Sequence, residues 1–172
     1  MRNVWFTSDT HFGSQRHLTW CIRPFNSVAE MDHVMMCNWN NNVGDNDIVY
    51  HLGDFGNHKV LPYLKGEICI VKGNYDIGSD GQIHNELKPY EYLQYSVEYK
   101  GETMLVCHDP MDVVHYNQFF LFGHIHKSQM IKKHGLNVGV DLHDFTPISF
   151  ERVMYYKRYI YNATDESVFC GN

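Results

Sequence analysis

One stretch of the chain, residues 27–44, places its apolar side chains at helical spacing. The repeat comprises Val28, Met31, Val34, Met35 and Trp39. Ser27 and Glu30 form a capping box at its start, and a run of asparagines followed by Gly44 ends it. The pattern predicts one long amphipathic helix whose methionine and tryptophan stripe packs into the core rather than around a cofactor.

The other apolar positions fall in short runs rich in β-branched and aromatic residues, which predict strands. In chain order these runs are NVWFTSD, NDIVYHLGD, EICIVKGN, YLQYSVEYKGETMLVCHD, QFFLFGHIH and LNVGVD. The fourth run holds two strands around a turn at Lys100–Gly101. VLPYLKG holds only a short helix because Pro62 interrupts it. The aromatic tail RVMYYKRYIYNA is also β-prone, and we expect it to form an edge strand.

Strand after strand in this series ends in a polar pair. The pairs are Ser8–Asp9, Gly53–Asp54, Gly73–Asn74, Cys107–His108 and Gly123–His124. In layered α/β folds, sites form at the carboxyl ends of strands, where loops converge outside a rigid sheet. Glycine before the polar residue permits a sharp turn and close approach of the backbone. We therefore expect these strand ends to share one site.

Length and composition fit a single globular domain over residues 1–172. Of these residues 44% are hydrophobic and 15% aromatic, and no repeat or linker interrupts them. No apolar run reaches the roughly 20 residues that cross a bilayer, and the N-terminus does not resemble a signal peptide. We expect a cytoplasmic protein without membrane contact. Five scattered cysteines without CxxC spacing argue against a disulfide framework or a zinc ribbon.

Charge and histidine content indicate what the site binds. A net charge of −6 provides no basic surface for long duplex nucleic acid. The chain contains twelve histidines, and histidine is the commonest metal ligand. The candidate ligands are Asp9, His11, Asp54, Asn74, His108, His124 and His126. Each motif alone is weak, but five in order, each after an apolar β run, indicate a metal site. Oxygen and imidazole ligands without thiolate suit manganese, iron, zinc or nickel.

The motifs also carry a family resemblance. SDTHFG, HLGDF, KGNYD, VCHDP and FGHIH resemble the signature D-x-H, G-D, G-N-[H]-[D/E], H, G-H-x-H of the calcineurin-like metallophosphoesterases. RPF, VYHLGDF and NVGVDLHDFTPIS are similar to a small, poorly characterised bacterial and phage branch. The resemblance spans residues 3–150. It implies an α/β fold, a two-layered mixed β-sandwich flanked by helices in the order α/β/β/α.

The resemblance further implies two divalent metal ions that share a ligand. Asp9, His11 and His126 would hold the first ion, and Asn74, His108 and His124 would hold the second. The carboxylate of Asp54 would bridge them. The implied reaction is hydrolysis of a phosphate ester by a metal-bridging hydroxide without a covalent enzyme intermediate. No G-x-S-x-G elbow or comparable cysteine motif supports a nucleophilic alternative.

The chain departs from the signature at Tyr75, where the superfamily usually carries a histidine that protonates the leaving oxygen and is oriented by the next carboxylate. Asn74, Tyr75 and Asp76 are the catalytic candidates. A phenol with a pKa near ~10 donates a hydrogen bond but is a weak acid. Relatives with another residue here resemble phosphodiesterases, so a diester or cyclic phosphate is favoured. A tyrosine ring packed on the pocket wall is the competing interpretation.

A second departure is Ser14, where close relatives of this branch carry histidine. His17 follows three residues later and is the candidate to replace that histidine. A shift of three residues in a loop need not reach the same point. The contact that orients the phosphate in those relatives is therefore not assured here.

Three alternatives share the same motifs. A phosphomonoesterase or protein phosphatase would use the same metals, although the chain has no extra length for recognising a folded substrate. A non-catalytic scaffold of the same fold is a second alternative, and a nuclease is a third. The expected partner is a small phosphorylated substrate, a nucleotide or short oligonucleotide included. The sequence leaves the oligomeric state open.

Overall fold

The computed structural model describes residues 2–113 and 117–163. The strands are β1 Val4–Thr7, β2 Ile48–His51, β3 Glu67–Ile70, β4 Ser96–Tyr99, β5 Glu102–Val106, β6 Phe120–Phe122, β7 Ile131–Lys132, β8 Gly135–Asn137 and β9 Ile148–Ser149. The α-helices are α1 Gln15–Trp20, α2 Val28–Asn42 and α3 Phe150–Asn162, and 3-10 turns span His58–Tyr63, Lys88–Tyr90, Pro110–Asp112, His126–Ser128 and Val140–Leu142. Within the described ranges, none of the helices is long and apolar enough to cross a membrane.

The strands form two mixed sheets. The first has the order β3-β2-β1-β9, and the second has the order β4-β5-β6-β8-β7. β1, β2 and β3 run parallel, with Val4 opposite Ile48 and His51 opposite Ile70. β5, β6 and β8 are also parallel. Parallel strands end at the same edge of a sheet, so each sheet presents a row of carboxyl ends. Two mixed sheets flanked by helices confirm the predicted fold class.

The core lies on both faces of the first sheet. Val4 and Phe6 of β1 are buried in one cluster with Leu121 of β6, so this layer joins the two sheets. The opposite face is covered by α2, whose methionine and tryptophan stripe packs into the core as predicted. The buried stripe of α2 consists of Met31, Met35 and Trp39. Because strand side chains alternate between faces, the short strands bury apolar residues on both sides.

Several local predictions are confirmed. Ser27 caps α2 by accepting a hydrogen bond from the Glu30 N–H at 3.1 Å. Lys100 and Gly101 form the turn between β4 and β5 with φ of 50° and 79°. A 3-10 helix contains Pro62, in agreement with the short interrupted helix expected there.

The prediction of an edge strand in the tail is wrong, because residues 150–162 form α3. Its apolar side chains Phe150, Val153 and Ile160 are spaced for one face of a helix and are buried in the layer between the sheets. Ser149 accepts a hydrogen bond from the Arg152 N–H at 3.2 Å and starts the helix. The β-propensity of its tyrosines is overridden because a helix buries this apolar face.

Candidate metal centre

The loops that follow the parallel strands meet across the two sheets. The N–H groups of Asp9 and His11 donate to the carbonyl oxygens of Gly53 and Asp54, each at 3.0 Å. The N–H of His124, after β6, donates to both carboxylate oxygens of Asp9 at 3.0 Å. This contact ties the second sheet to the first. The strand ends that the sequence singles out therefore lie together.

Asp54 is at the centre of this group. Its Oδ2 lies 3.5 Å from Nε2 of His11 and 3.4 Å from Nε2 of His108. Its Oδ1 accepts a hydrogen bond from the Tyr75 N–H at 2.8 Å. His108 Nε2 is also 3.3 Å from Nδ1 of His124. One buried carboxylate thus lies between histidines that the resemblance assigns to different ions.

The orientation of His126 is fixed by Asp141, which forms a buried ion pair with Arg23. Nδ1 of His126 lies 2.8 Å from Oδ2 of Asp141, so Nδ1 carries a proton and Nε2 is the ring nitrogen that remains for a metal ion. The Asp141 carboxylate also accepts from Nε and Nη2 of Arg23 at 2.9 and 3.0 Å. Arg23 donates further to the backbone oxygens of Asp9 and Thr10 at 2.7 and 2.8 Å. The orientation of His126 is thereby fixed relative to the loop after β1.

His17 reaches the site despite its shift in sequence. Its ring stacks on His11, with centroids 3.4 Å apart and planes 4° from parallel. Nδ1 of His17 is 2.7 Å from Oγ of Ser14, and that hydroxyl also caps α1 by accepting from the His17 N–H. Ser14 therefore caps α1, and His17 on that helix lies beside the candidate ligand His11.

The first two catalytic candidates after β3, Asn74 and Tyr75, occupy different environments. Asn74 is exposed, and no described hydrogen bond joins its side chain to Asp54 or His108. The Tyr75 ring contacts His11 and His17 edge-on, at centroid distances of 5.3 and 5.0 Å.

Asp76 lies behind the site and holds its loops together. It is fully buried, and its carboxylate accepts the N–H groups of Asp54, Phe55 and Gly73 at 2.6, 2.9 and 2.9 Å. Three backbone donors satisfy this carboxylate and join the loop after β2 to the loop after β3. Its contacts are those of an anchor for the Asp54 loop.

Most of the candidate ligands have a left-handed backbone. The φ angles are 56° for Asp9, 47° for His11, 59° for Asp54, 69° for His124 and 48° for His126. Such angles are uncommon for residues other than glycine, and when they cluster they mark functional sites where the surrounding fold holds the strain. The strand ends therefore turn sharply, each aiming a side chain at the same space.

Two glycines are needed because the loops touch. A Cβ on Gly123 would lie 2.0 Å from Ser8 Oγ and 2.4 Å from an Asp9 carboxylate oxygen. A Cβ on Gly73 would lie 2.3 Å from Oδ1 of Asp54. Any larger residue would push the carboxylates out of place. Close packing at the site thus explains the glycines that precede Asn74 and His124.

The protonation states of Asp54 and His11 suit cation binding. Burial raises the pKa of Asp54, but the hydrogen bond and charge of His108 outweigh it and lower the pKa to about 2. Burial, together with His17, lowers the pKa of His11 to about 2, so this imidazole is neutral. Burial raises the pKa of Asp9. Burial lowers the pKa of His108, but the hydrogen bond to Asp54 and the nearby carboxylates outweigh it and raise the pKa to about 9, so His108 releases a proton when a cation binds. A buried carboxylate and a neutral imidazole side by side are stabilised by a bound cation.

The ligand atoms fit a metal ion. Asp9, His11 and Asp54 offer atoms within 4.8 Å of one another, as do His11, His17 and His126. Nε2 of His11 is buried and has no hydrogen-bond partner among the described residues. An unpaired buried nitrogen is costly unless something binds it. The donors are hard oxygens and imidazoles, which match divalent ions of the first transition series.

The comparisons with known proteins identify the family. A family model described as the calcineurin-like phosphoesterase superfamily domain matches residues 3–140. The chain belongs to this superfamily. It is 30% identical to the uncharacterised protein MJ1445 of Methanocaldococcus jannaschii, over 90% of each chain. The crystal structure of a protein of unknown function, AQ665 from Aquifex aeolicus, shares the fold with a TM-score of 0.72 at 23% identity, covering 91% of this chain and all of the other.

Membership of the superfamily agrees with the donor chemistry described above. Its members typically bind divalent metals, and the aspartates and histidines gathered here offer suitable ligand groups. The family also suggests metal-dependent hydrolysis of phosphate esters. The site is therefore a candidate active site as well as a candidate metal centre.

Sequence reasoning missed the residues that hold the ligands in place. Arg23 and Asp141 were not predicted to act at the site, although both lie in segments shared with the related branch, RPF and NVGVDLHDFTPIS. An arginine beside a proline and an aspartate after a short apolar run were the available signals. Their pairing across 118 positions is visible only in the fold.

Asp141 can be tested as a positioning residue. We expect Asp141→Asn to weaken binding of Mn²⁺ by about 10- to 100-fold, because loss of a carboxylate behind a ligating histidine has effects of this size. Isothermal titration of the metal-free protein measures the affinity, and its melting temperature checks that the variant folds. Asp144→Asn is the matched control, since Asp144 is exposed in the same loop. A folded Asp141→Asn variant with unchanged affinity contradicts this role.

Proposed function

We propose that this chain is a phosphodiesterase that depends on two divalent metal ions. The observation that carries the proposal is the position of Asp54 between His11 and His108, at 3.5 and 3.4 Å from the same carboxylate oxygen. The first ion would be held by Asp9, His11 and His126, and the second by Asn74, His108 and His124. Manganese, iron, zinc or nickel would suit these ligands.

The side chains prepare the ligand atoms for this role. His108 donates from Nδ1 to the carbonyl oxygen of Leu52 at 2.7 Å, which leaves Nε2 pointing to Asp54. His126 donates from Nδ1 to Asp141, which leaves its Nε2 free. When bound, two divalent ions lower the pKa of water, neutralise phosphate oxygens and orient an in-line displacement. The chain's own contribution is a rigid ligand set in which hydrogen bonds fix the orientation of both histidine rings.

The reaction adds one water molecule to phosphorus, breaks one P–O ester bond and leaves a proton on the departing oxygen. Tyr75 replaces the usual histidine acid and is held by its ring against His11 and His17. This packing supports the interpretation of a ring that forms the pocket wall. A site without a strong general acid favours diesters with leaving groups that need little protonation. Asp76 supports the Asp54 loop through three backbone hydrogen bonds.

Asp54→Asn tests the shared carboxylate. We expect turnover of bis-p-nitrophenyl phosphate to fall at least about a thousandfold, because loss of the bridging charge removes several kcal/mol of stabilisation. Metal content after gel filtration, measured by plasma mass spectrometry, should fall as well. Asp45→Asn makes the same change at an exposed site and should keep both values. Wild-type turnover in Asp54→Asn would refute the proposal.

Tyr75→Phe tests whether the phenol acts as an acid. Because the ring packs against two imidazoles, we expect Tyr75→Phe to keep kcat for an unactivated diester within about threefold, far from the roughly 10²–10⁴-fold loss that follows removal of a general acid. Tyr75→Ala removes the ring and should cost more. If Tyr75→Phe lost most of its kcat for the unactivated diester but not for a diester with an activated leaving group, Tyr75 would instead be the group that protonates the leaving oxygen.

A further inference from the structure

A groove of about 950 Å³ opens directly from the candidate metal centre. Asp54, His124 and His126 line its inner end. Pockets that hold drug-sized ligands are typically about 300–1,000 Å³, so this groove is at the large end of that range. A phosphate group alone fills a small part of it. The remaining space is available to the groups esterified to the phosphate.

One wall of the groove is aromatic and apolar. Trp20 at the end of α1 is 66% exposed, Ile22 is 82% exposed and Tyr75 is 47% exposed, and all three line the groove. Single exposed apolar side chains are ordinary, but several along one concave surface mark a binding site. The Arg16 guanidinium lies 3.7 Å from the centroid of the Trp20 ring. This cation–π contact supports the indole, which stays largely open to solvent.

Two lysines supply positive charge to the groove. Lys127, in the 3-10 turn after β6, and Lys132, in β7, both line it. Lys127 Nζ donates to the backbone oxygens of Cys21 and Ile22 at 3.0 and 3.3 Å, so its ammonium group lies against the segment that follows α1. These acceptors are uncharged and leave its positive charge in place. In a chain of net charge −6, cations gathered along one groove favour an anionic ligand.

We propose that the substrate is a phosphodiester that carries a nucleoside, with its base stacked on Trp20. This inference rests on the proposed function, because the phosphorus atom must lie at the metal centre while the ester groups extend along the groove. A nucleobase offers a planar π face to an indole, and the negative charge of the phosphodiester matches the lysines of the groove. A simple alkyl diester would leave the aromatic wall uncovered. Trp20 is therefore a specificity-determining residue.

The test compares two diesters that differ only in the group that enters the groove. Thymidine p-nitrophenyl phosphate and methyl p-nitrophenyl phosphate carry one negative charge each and release the same p-nitrophenolate as water adds to phosphorus. With Mn²⁺ bound, we expect the thymidine ester to have the higher kcat/KM by at least about tenfold. Trp20→Ala should remove that advantage, so that its kcat/KM values for the two esters lie within about twofold of each other. Trp20→Phe keeps an aromatic face and should retain most of it.

Tyr63→Ala is the matched control, because Tyr63 is 68% exposed and lies outside the groove. Binding is measured separately by titrating the protein with adenosine monophosphate and with methyl phosphate. If adenosine monophosphate binds more tightly than methyl phosphate and Trp20→Ala removes the difference, the nucleoside site is supported even when neither diester is hydrolysed. Absence of hydrolysis would overturn only the proposed function. The nucleoside proposal would be overturned if Trp20→Ala matched wild type both in kcat/KM for the thymidine ester and in affinity for adenosine monophosphate.

Discussion

The buried Asp54 carboxylate is the constraint on which the rest of the structure depends. A carboxylate in this position costs several kcal/mol unless donors and opposite charges surround it. The Tyr75 N–H and the His11 and His108 rings lie at 2.8, 3.5 and 3.4 Å from its oxygens. Because His108 follows a strand of the second sheet, the full set of partners forms only when the two sheets are packed together. Assembly of the site therefore depends on the packing of the two sheets.

A second group of buried charges holds the residues around Asp54 in place. Asp76 binds three backbone N–H groups and joins the loops after β2 and β3. Arg23 and Asp141 form an ion pair with no solvent exposure that holds His126 and the loop after β1. Such groups are costly to bury, and removing one partner leaves the other uncompensated. Their presence is explained by the need to hold strained, left-handed ligand residues in one arrangement.

The sequence predicted most of the sheets and the strand-end positions of the candidate ligands, because period-two apolar runs and polar strand ends are local signals. It did not predict α3, where tyrosine-rich composition suggested a strand and burial of Val153 and Ile160 selected a helix. It also left His17 undecided, since whether a shifted histidine reaches the site depends on the course of α1. Asn74 was predicted to be a metal ligand from its motif alone. Its side chain is exposed, so this assignment remains a proposal.

The most direct test of the central claim is an anomalous difference map from crystals of the protein grown with Mn²⁺. The account predicts two peaks about 3.5–4 Å apart, both in contact with the carboxylate of Asp54, one beside His11 and the other beside His108. A single peak, or peaks that make no contact with Asp54, would contradict it.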